Sequence, residues 1–520
     1  MTTNALLKYL SDRIVFVRET FPTEKEPRHA ALTGVEQQPT RHLLGLEMNQ
    51  IMANKAQRRM SLARKISLGV GDFGVNVYWQ IASLFLLFFY TEVLGLSART
   101  AGLIYMSALI WDAAVDPLIG AMADRTATAF GRFRPYLLLG AAPLAIAFVL
   151  MFSLPRGDTT QLIVLTVVSH FAFRTLFALV SVPYASLYAR VTQDSGERAT
   201  MAGIRMVFAI LAAMAVSATI LPATRYLGGD AFAWALVGGM FATVASAMLI
   251  IAAIAAGTDD SPEDDRQSAT ERPSARRLLG SLLDNRPLLI VLGITLMNSL
   301  SSTFFSKNLL YYFKYVRNDP DFGGTALALM AAVAALSAPI WAQVARLFSK
   351  RFALLVGTGF YCLGFVLWYL FNAAGYACLL AILALIAIGA SASVVCFWAM
   401  VPDTVEYGQW RSGIRSESLI IGTVIFAQKA ALGIAAGSLG LALSSIGFVS
   451  NTLQSAHTTQ LLLGTMSFVP LLGSLGVLVL AWAYPIDSAT HRRLLQDLAL
   501  RDQDTQVSPQ TSETMSPSRT

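Results

Sequence analysis

The sequence predicts an all-α membrane protein whose twelve transmembrane helices fall into two six-helix halves. Three observations carry this. Of the 520 residues, 55% are hydrophobic and only 14% charged, and the mean hydropathy is +0.55, a balance too apolar for a chain dissolved in water. The apolar residues gather into stretches of about the 20 residues a helix needs to cross a bilayer. A polar break separates the sixth stretch from the seventh.

In chain order, residues 1–64 form a polar, mixed-charge extension with no apolar run of signal-peptide length, so the first span acts as the insertion signal. Two readings of it stand: an extension made in full, or a start at Met60, ahead of SLARKISLGVGD, with 1–59 untranslated. The first half, 65–256, holds spans near 66–94, 100–123, 135–154, 161–190, 202–222 and 231–256. Residues 257–286, which open GTDDSPEDDRQSATERPSARRLLG, are charged and contain proline, as suits a cytoplasmic linker between domains. The second half, 287–486, holds spans near 287–313, 324–346, 352–371, 376–402, 418–446 and 459–484. Residues 487–520 pass from a basic patch into a Ser/Thr/Gln-rich end, expected to be a disordered cytoplasmic tail.

Alternate loops collect the basic residues. Arg125, Arg132 and Arg134, then Arg190 and Arg198, Arg276, Arg277 and Arg286, Arg346, Lys350 and Arg351, and Arg411 and Arg415 lie on one side. The other side offers little beyond Arg99, Arg156, Arg225, Lys314 and Arg317. Cytoplasmic loops attract Lys and Arg, so both termini are expected in the cytoplasm and the chain in the cell's inner membrane. The formal charge of +7 is spread among these loops, which argues against a nucleic-acid partner and for lipid headgroups. Cys362, Cys378 and Cys396 sit in apolar spans without metal-ligand spacing. No phosphate loop, HExxH or Cys/His cluster is present, so neither an enzyme, a cofactor nor a resident metal is expected.

The most informative motif is the pair Asp112 and Asp116 inside GLIYMSALIWDAAVDPLIGAMA. Residues four apart share a helix face, and ionisable groups in a membrane span are functional by default. A carboxylate in a low-dielectric cavity can take up a proton or a metal cation. The pair therefore predicts a cation-coupled transporter, and Pro117 frees a backbone carbonyl of the kind tolerated where a helix lines a cavity.

Several ordered stretches resemble one family. KISLGVGDFGVN (65–76), FFYTEVLGLS (88–97), WDAAVDPLIG (111–120), DRTATAFGRFRPYLLLG (124–140), VPYASL (182–187), YYFKYV (311–316) and DTVEYGQWRSGIRSES (403–418) are similar to the glycoside-pentoside-hexuronide:cation symporters, the melibiose permease group of the major facilitator superfamily. The resemblance spans roughly 65–495. It implies the major facilitator fold, a functional monomer, and uptake of a sugar derivative with H⁺, Na⁺ or Li⁺, with the coupling ion on Asp112 and Asp116. Where Na⁺-using members place oxygen ligands, this chain has Val115 and Ala178, which favours H⁺.

For the substrate, two carboxylates of the melibiose pattern are replaced here by Asn76 and Ser181, while Arg174 and Lys307 are added and Arg205 and Lys429 match basic family positions. Fewer negative and more positive groups point to an anionic glycoside, a glucuronide or other hexuronide, held by Arg174 through its planar fork. Arg205 could instead pair with a gate acid, and Lys307 could reach the interface. Trp79, Tyr184 and Trp398 are the rings on which a sugar face could stack. Opposed charges after the second span (Asp124, Arg125, Arg132, Arg134) and after the tenth (Asp403, Glu406, Arg411, Arg415, Glu417) are expected to act as gates. Two alternatives stand beside this reading: Na⁺-coupled carriage of a neutral pentoside or disaccharide, and a lysophospholipid-type amphiphile carrier with apolar cavity walls.

Overall fold

A computed structural model describes residues 60–128, 130–154, 158–191, 195–257, 280–413, 416–486 and 488–507. The elements are α1 Leu62–Phe88, prolonged by a π turn Phe89–Val93, α2 Ala98–Arg125, α3 Arg134–Phe152, α4 Thr159–Arg190, α5 Ser195–Tyr226 and α6 Ala231–Ala256. After the linker come α7 Arg286–Tyr315, α8 Pro320–Leu347, α9 Lys350–Phe371, α10 Tyr376–Ser412, α11 Glu417–Ser445, α12 Ala456–Trp482 and α13 Ser488–Val507. Twelve of these are long and apolar enough to span a membrane, matching the twelve expected stretches. The protein is therefore a multi-pass, all-α membrane protein.

Local sequence explains where the helices start. Ser61, Ser97, Asp230, Asn285, Ser349 and Ser455 each accept a hydrogen bond at their side chain from the backbone N–H three residues on, satisfying a first-turn donor. Pro135, Pro287 and Pro320 stand in first turns, where no N–H is needed. Gly413, at φ +70°, ends α10 in the left-handed conformation.

The two sets of six helices meet most extensively where α2 packs on α11, with α5 against α8 and α1 against α7 as further contacts. Small residues allow the first of these. A Cβ on Gly440 would lie 2.4 Å from the Ala98 carbonyl oxygen and 2.8 Å from Gly102 Cα, and one on Gly433 would meet Leu109 at 3.0 Å. Backbone-to-backbone approach of this kind is how membrane helices gain contact without a hydrophobic driving force. The antiparallel register it sets carries Asp112 and Asp116 opposite Lys429.

Three expectations are corrected. The chain beyond 402 continues α10 through Ser412, so Asp403, Glu406 and Arg411 lie on a helix and not in a loop. Asp124 and Arg125 likewise close α2, while Arg134 and Glu417 open α3 and α11, leaving Arg132 in the connection. Arg415 falls outside the described residues. Finally, the segment expected as unfolded tail is helical over Ser488–Val507, because one face packs: Leu494 is buried, His491 Nε2 lies 2.5 Å from Glu406 Oε2, and Trp410 Nε1 donates to Asp497 at 3.3 Å. Residues 1–59 and 508–520 lie outside the described residues.

Candidate functional site

The central cluster is built midway along α2, α4 and α11. Asp112 is fully buried and Asp116 half-buried, its side chain 16% exposed. Lys429 Nζ bridges them, 3.0 Å from Asp112 Oδ2 and 2.5 Å from Asp116 Oδ2. On the far side of Asp112, Arg174 Nη1 approaches the same Oδ2 at 3.7 Å. The guanidinium lies over the Trp79 ring at 5.5 Å and near Tyr105 at 5.9 Å. Helical spacing accounts for the set: Asp112 and Asp116 are one turn apart, and Trp79 is a turn along from Asn76.

Trp79 and Tyr105 also form walls of a cavity of about 90 Å³ whose polar lining is Ser83, Ser302, Thr303, Ser306 and Lys307. Lys307, with its side chain all but buried, donates to the Ser83 carbonyl and stands 4.4 Å from the Tyr105 ring centre. It faces the cavity and does not reach for an interface. The sequence had underweighted it, because a lysine near a helix end usually snorkels. The cluster sets Arg174 and Lys429 against Asp112 and Asp116, while Lys307, with no acidic partner among the described residues, stands on the cavity wall beside Tyr105. Both Nη atoms of Arg174 and both oxygens of Asp112 are buried without a hydrogen-bond partner among the described residues. Val115 and Ala178, by contrast, pack with Ile119 in an apolar cluster.

A second cluster lies nearer the start of α1. Arg205 grips Asp72 bidentately, Nε to Oδ2 at 2.6 Å and Nη2 to Oδ1 at 3.1 Å. Tyr184 donates to Asp72 Oδ2 at 2.6 Å, and Arg205 stacks on Tyr188 at 4.4 Å. Arg205 and Tyr184 thus serve Asp72 here, the pairing with an acid that the sequence left open for Arg205. Asn76 donates to the Asp72 carbonyl at 2.8 Å, half-buried, and Ser181 is half-buried on α4. Trp398 is 48% exposed and sits beside Asn298, Ser299 and Gln428 in a separate groove of the last six helices, away from Trp79 and Arg174.

At the end where α1 stops, the two sets of helices are pinned together. Glu92, on the π turn, receives Lys314 and Tyr315, the latter at 2.6 Å, while Asn451 donates to its backbone carbonyl at 2.7 Å. Arg225 pairs with Asp321 at the same face. These links were missed in the sequence, although Glu92 and Lys314 lie inside FFYTEVLGLS and YYFKYV. At the opposite face Arg134 donates to the Ala253 and Gly257 carbonyls of the first set, and Asp403 receives Lys350 at 2.6 Å within the last set. Asp124, Arg125, Arg411 and Glu417 are exposed there, and Arg132 is largely buried. Asp403, Glu406 and His491 bring one ligand atom each within 4.8 Å of one another, but Lys350 already neutralises Asp403, which reads as a structural tie for α13. Just beyond α12, burial pushes the Tyr484 phenol up, and the Asp403 and Glu406 charges push it further.

Comparison with known proteins agrees with this architecture. A family profile described as MFS/sugar transport protein matches residues 67–488. An isoprimeverose transporter of Lactiplantibacillus pentosus is 30% identical over 418 residues, covering 79% of this chain and 86% of its own. A glucuronide carrier protein homolog of Escherichia coli K12 is 26% identical over 449 residues, covering 85% and 96%. Among solved structures, a D-xylose-proton symporter superposes with a TM-score of 0.57 over 80% of this chain and 97% of its own at 14% identity, a likeness of fold.

Proposed function

The chain belongs to the MFS/sugar transport protein family as a sugar or glycoside:cation symporter, a carrier and not an enzyme, and from that premise we propose that it imports an anionic glycoside, a glucuronide or other hexuronide, together with a proton. The observation that carries the reading is the excess of buried positive charge. Leaving buried basic groups uncompensated is costly, and among the described residues the Arg174 fork has no hydrogen-bond partner while Lys307 meets only a carbonyl and a ring, so the chamber favours a substrate that brings its own carboxylate. Arg174 is suited to it, since a guanidinium fork matches a carboxylate bidentately. Trp79 offers a face for the sugar ring beside the hydroxyl-lined cavity.

Protons are favoured over Na⁺ by the surroundings of the acids. Sodium needs several oxygen ligands, and the positions beside Asp112 and Asp116 are the packed apolar side chains Val115 and Ala178. A proton needs one carboxylate. In this reading Asp112 and Asp116 exchange Lys429 for the coupling ion, and the two six-helix halves rock about the substrate. With both termini in the cytoplasm of an inner-membrane carrier, Glu92 and Lys314 close the outer path, and Asp403 and Arg134 belong to the inner gate. All the groups of the site come from one chain, as a functional monomer requires.

The test is uptake of labelled glucuronide, xyloside and galactoside into proteoliposomes under separate proton and sodium gradients, with Asp116→Asn alongside. Proton-driven accumulation of glucuronide, lost in the variant, supports the proposal. Accumulation of a neutral sugar on a sodium gradient alone would replace it with the Na⁺-coupled alternative.

A further inference from the structure

Arg174 is held from behind by a residue the transport reading does not use. Its Nε donates to Nε2 of His170, one turn earlier on α4, at 3.3 Å. A guanidinium has donors only, so His170 accepts at Nε2 and its ring is neutral with the proton on Nδ1. The ring is completely buried, and Tyr90 and Tyr105 flank it edge-on at 5.9 and 5.6 Å. Its orientation is therefore fixed by packing. With Nε committed to His170, the Nη1/Nη2 end points away from it, and Nη1 sits 3.7 Å from Asp112 Oδ2, too far for a hydrogen bond. The fork is buried, lacks hydrogen-bond partners among the described residues, and lies against Trp79, which walls the cavity.

We infer that His170 is a positioning residue that presents Arg174 as a fork shared between two competing carboxylates, Asp112 of the protein and the carboxylate of the substrate. This rests on the anionic-glycoside reading and deepens it. While Asp112 is charged, Arg174 is divided between it and the cavity. Once Asp112 takes up the coupling cation, the attraction is lost and the fork turns wholly to the substrate. Cation loading therefore strengthens binding of a charged glycoside and leaves a neutral one of the same shape unaffected. Linkage makes the effect reciprocal: a bound carboxylate frees Asp112 to accept the cation.

A matched pair of ligands isolates the effect: 4-nitrophenyl glucuronide and 4-nitrophenyl glucoside differ only in a carboxylate against a hydroxymethyl at one carbon. Binding of each to the purified full chain is measured by calorimetry for the wild type and for His170→Phe, His170→Gln and Asp112→Asn. The expected results are a glucuronide preference in the wild type and a loss of about tenfold of it in His170→Phe, the size of one charge-assisted contact. Glucoside affinity stays within about twofold, the margin expected of a neutral ligand that makes no contact with the fork. His170→Gln, whose side-chain oxygen can accept from Nε, restores most of the preference. Asp112→Asn tightens glucuronide and not glucoside. An unchanged preference in a folded His170→Phe, or equal losses for both ligands, overturns the role of His170 while leaving the anionic reading intact. No preference in the wild type, as expected if the chamber only holds water, removes the anionic reading and this inference together.

Discussion

Lys429 Nζ lies 2.5 Å from Asp116 Oδ2 and 3.0 Å from Asp112 Oδ2, so one amine on α11 ties both acids of α2 across the junction of the two helical sets. The pair is a structural link, and in the proposed function it is also the place where the coupling cation competes.

Removing the amine leaves Asp116 without a basic partner among the described residues and Asp112 with Arg174 alone, at 3.7 Å. Lys429→Ala is expected to destabilise the folded carrier by about 3 kcal/mol, the usual cost of breaking a buried pair. Asp116→Asn added to it should recover part of that loss. Thermal unfolding in detergent, followed by tryptophan fluorescence across the double-mutant cycle, checks the coupling; strict additivity would show that the pair does not interact.

Gly440 touches backbone, and no side chain stands there to give way. Gly440→Ala should cost about 1–3 kcal/mol by overpacking and push α2 from α11. The same unfolding assay measures it, and an unchanged midpoint contradicts the described approach.

Glu92 receives Lys314, Tyr315 and Asn451. Glu92→Ala should loosen this face and raise labelling of a cysteine placed at Ser83 by an impermeant maleimide, several-fold over the intact protein. Labelling that does not change would mean that the glycine contacts hold the face shut by themselves.

How much of this could be read beforehand follows from the membrane itself. Lipid expels charge, so Asp112, Asp116, Arg174 and Lys429 stand out in a sequence with no further information, and the structure draws all four into one cluster. Which partner each takes is a long-range matter. Nothing local tells that Arg205 meets Asp72 from 133 residues away, or that His170, unremarkable in an apolar span, backs Arg174. Apolar windows also stop where the lipid stops and the helix does not: α10 runs on through Asp403 and Glu406, and α13 folds because it packs on that extension.

That packing is itself testable. His491→Ala removes the contacts to Glu406 and Asp403 and should speed hydrogen exchange across 488–507 by roughly an order of magnitude, since few contacts besides Leu494 and Trp410–Asp497 oppose local opening there. Exchange at the original rate would show that Leu494 and the Trp410–Asp497 contact hold α13 without His491.

The most direct test of the account is proton movement driven by substrate. In proteoliposomes without an imposed ion gradient, adding glucuronide outside should make a weakly buffered medium more alkaline as protons enter with the sugar. Xyloside should not do so, and Asp116→Asn should abolish the signal. Glucuronide entry with no pH change, or entry that depends on sodium, would contradict proton symport of an anionic glycoside.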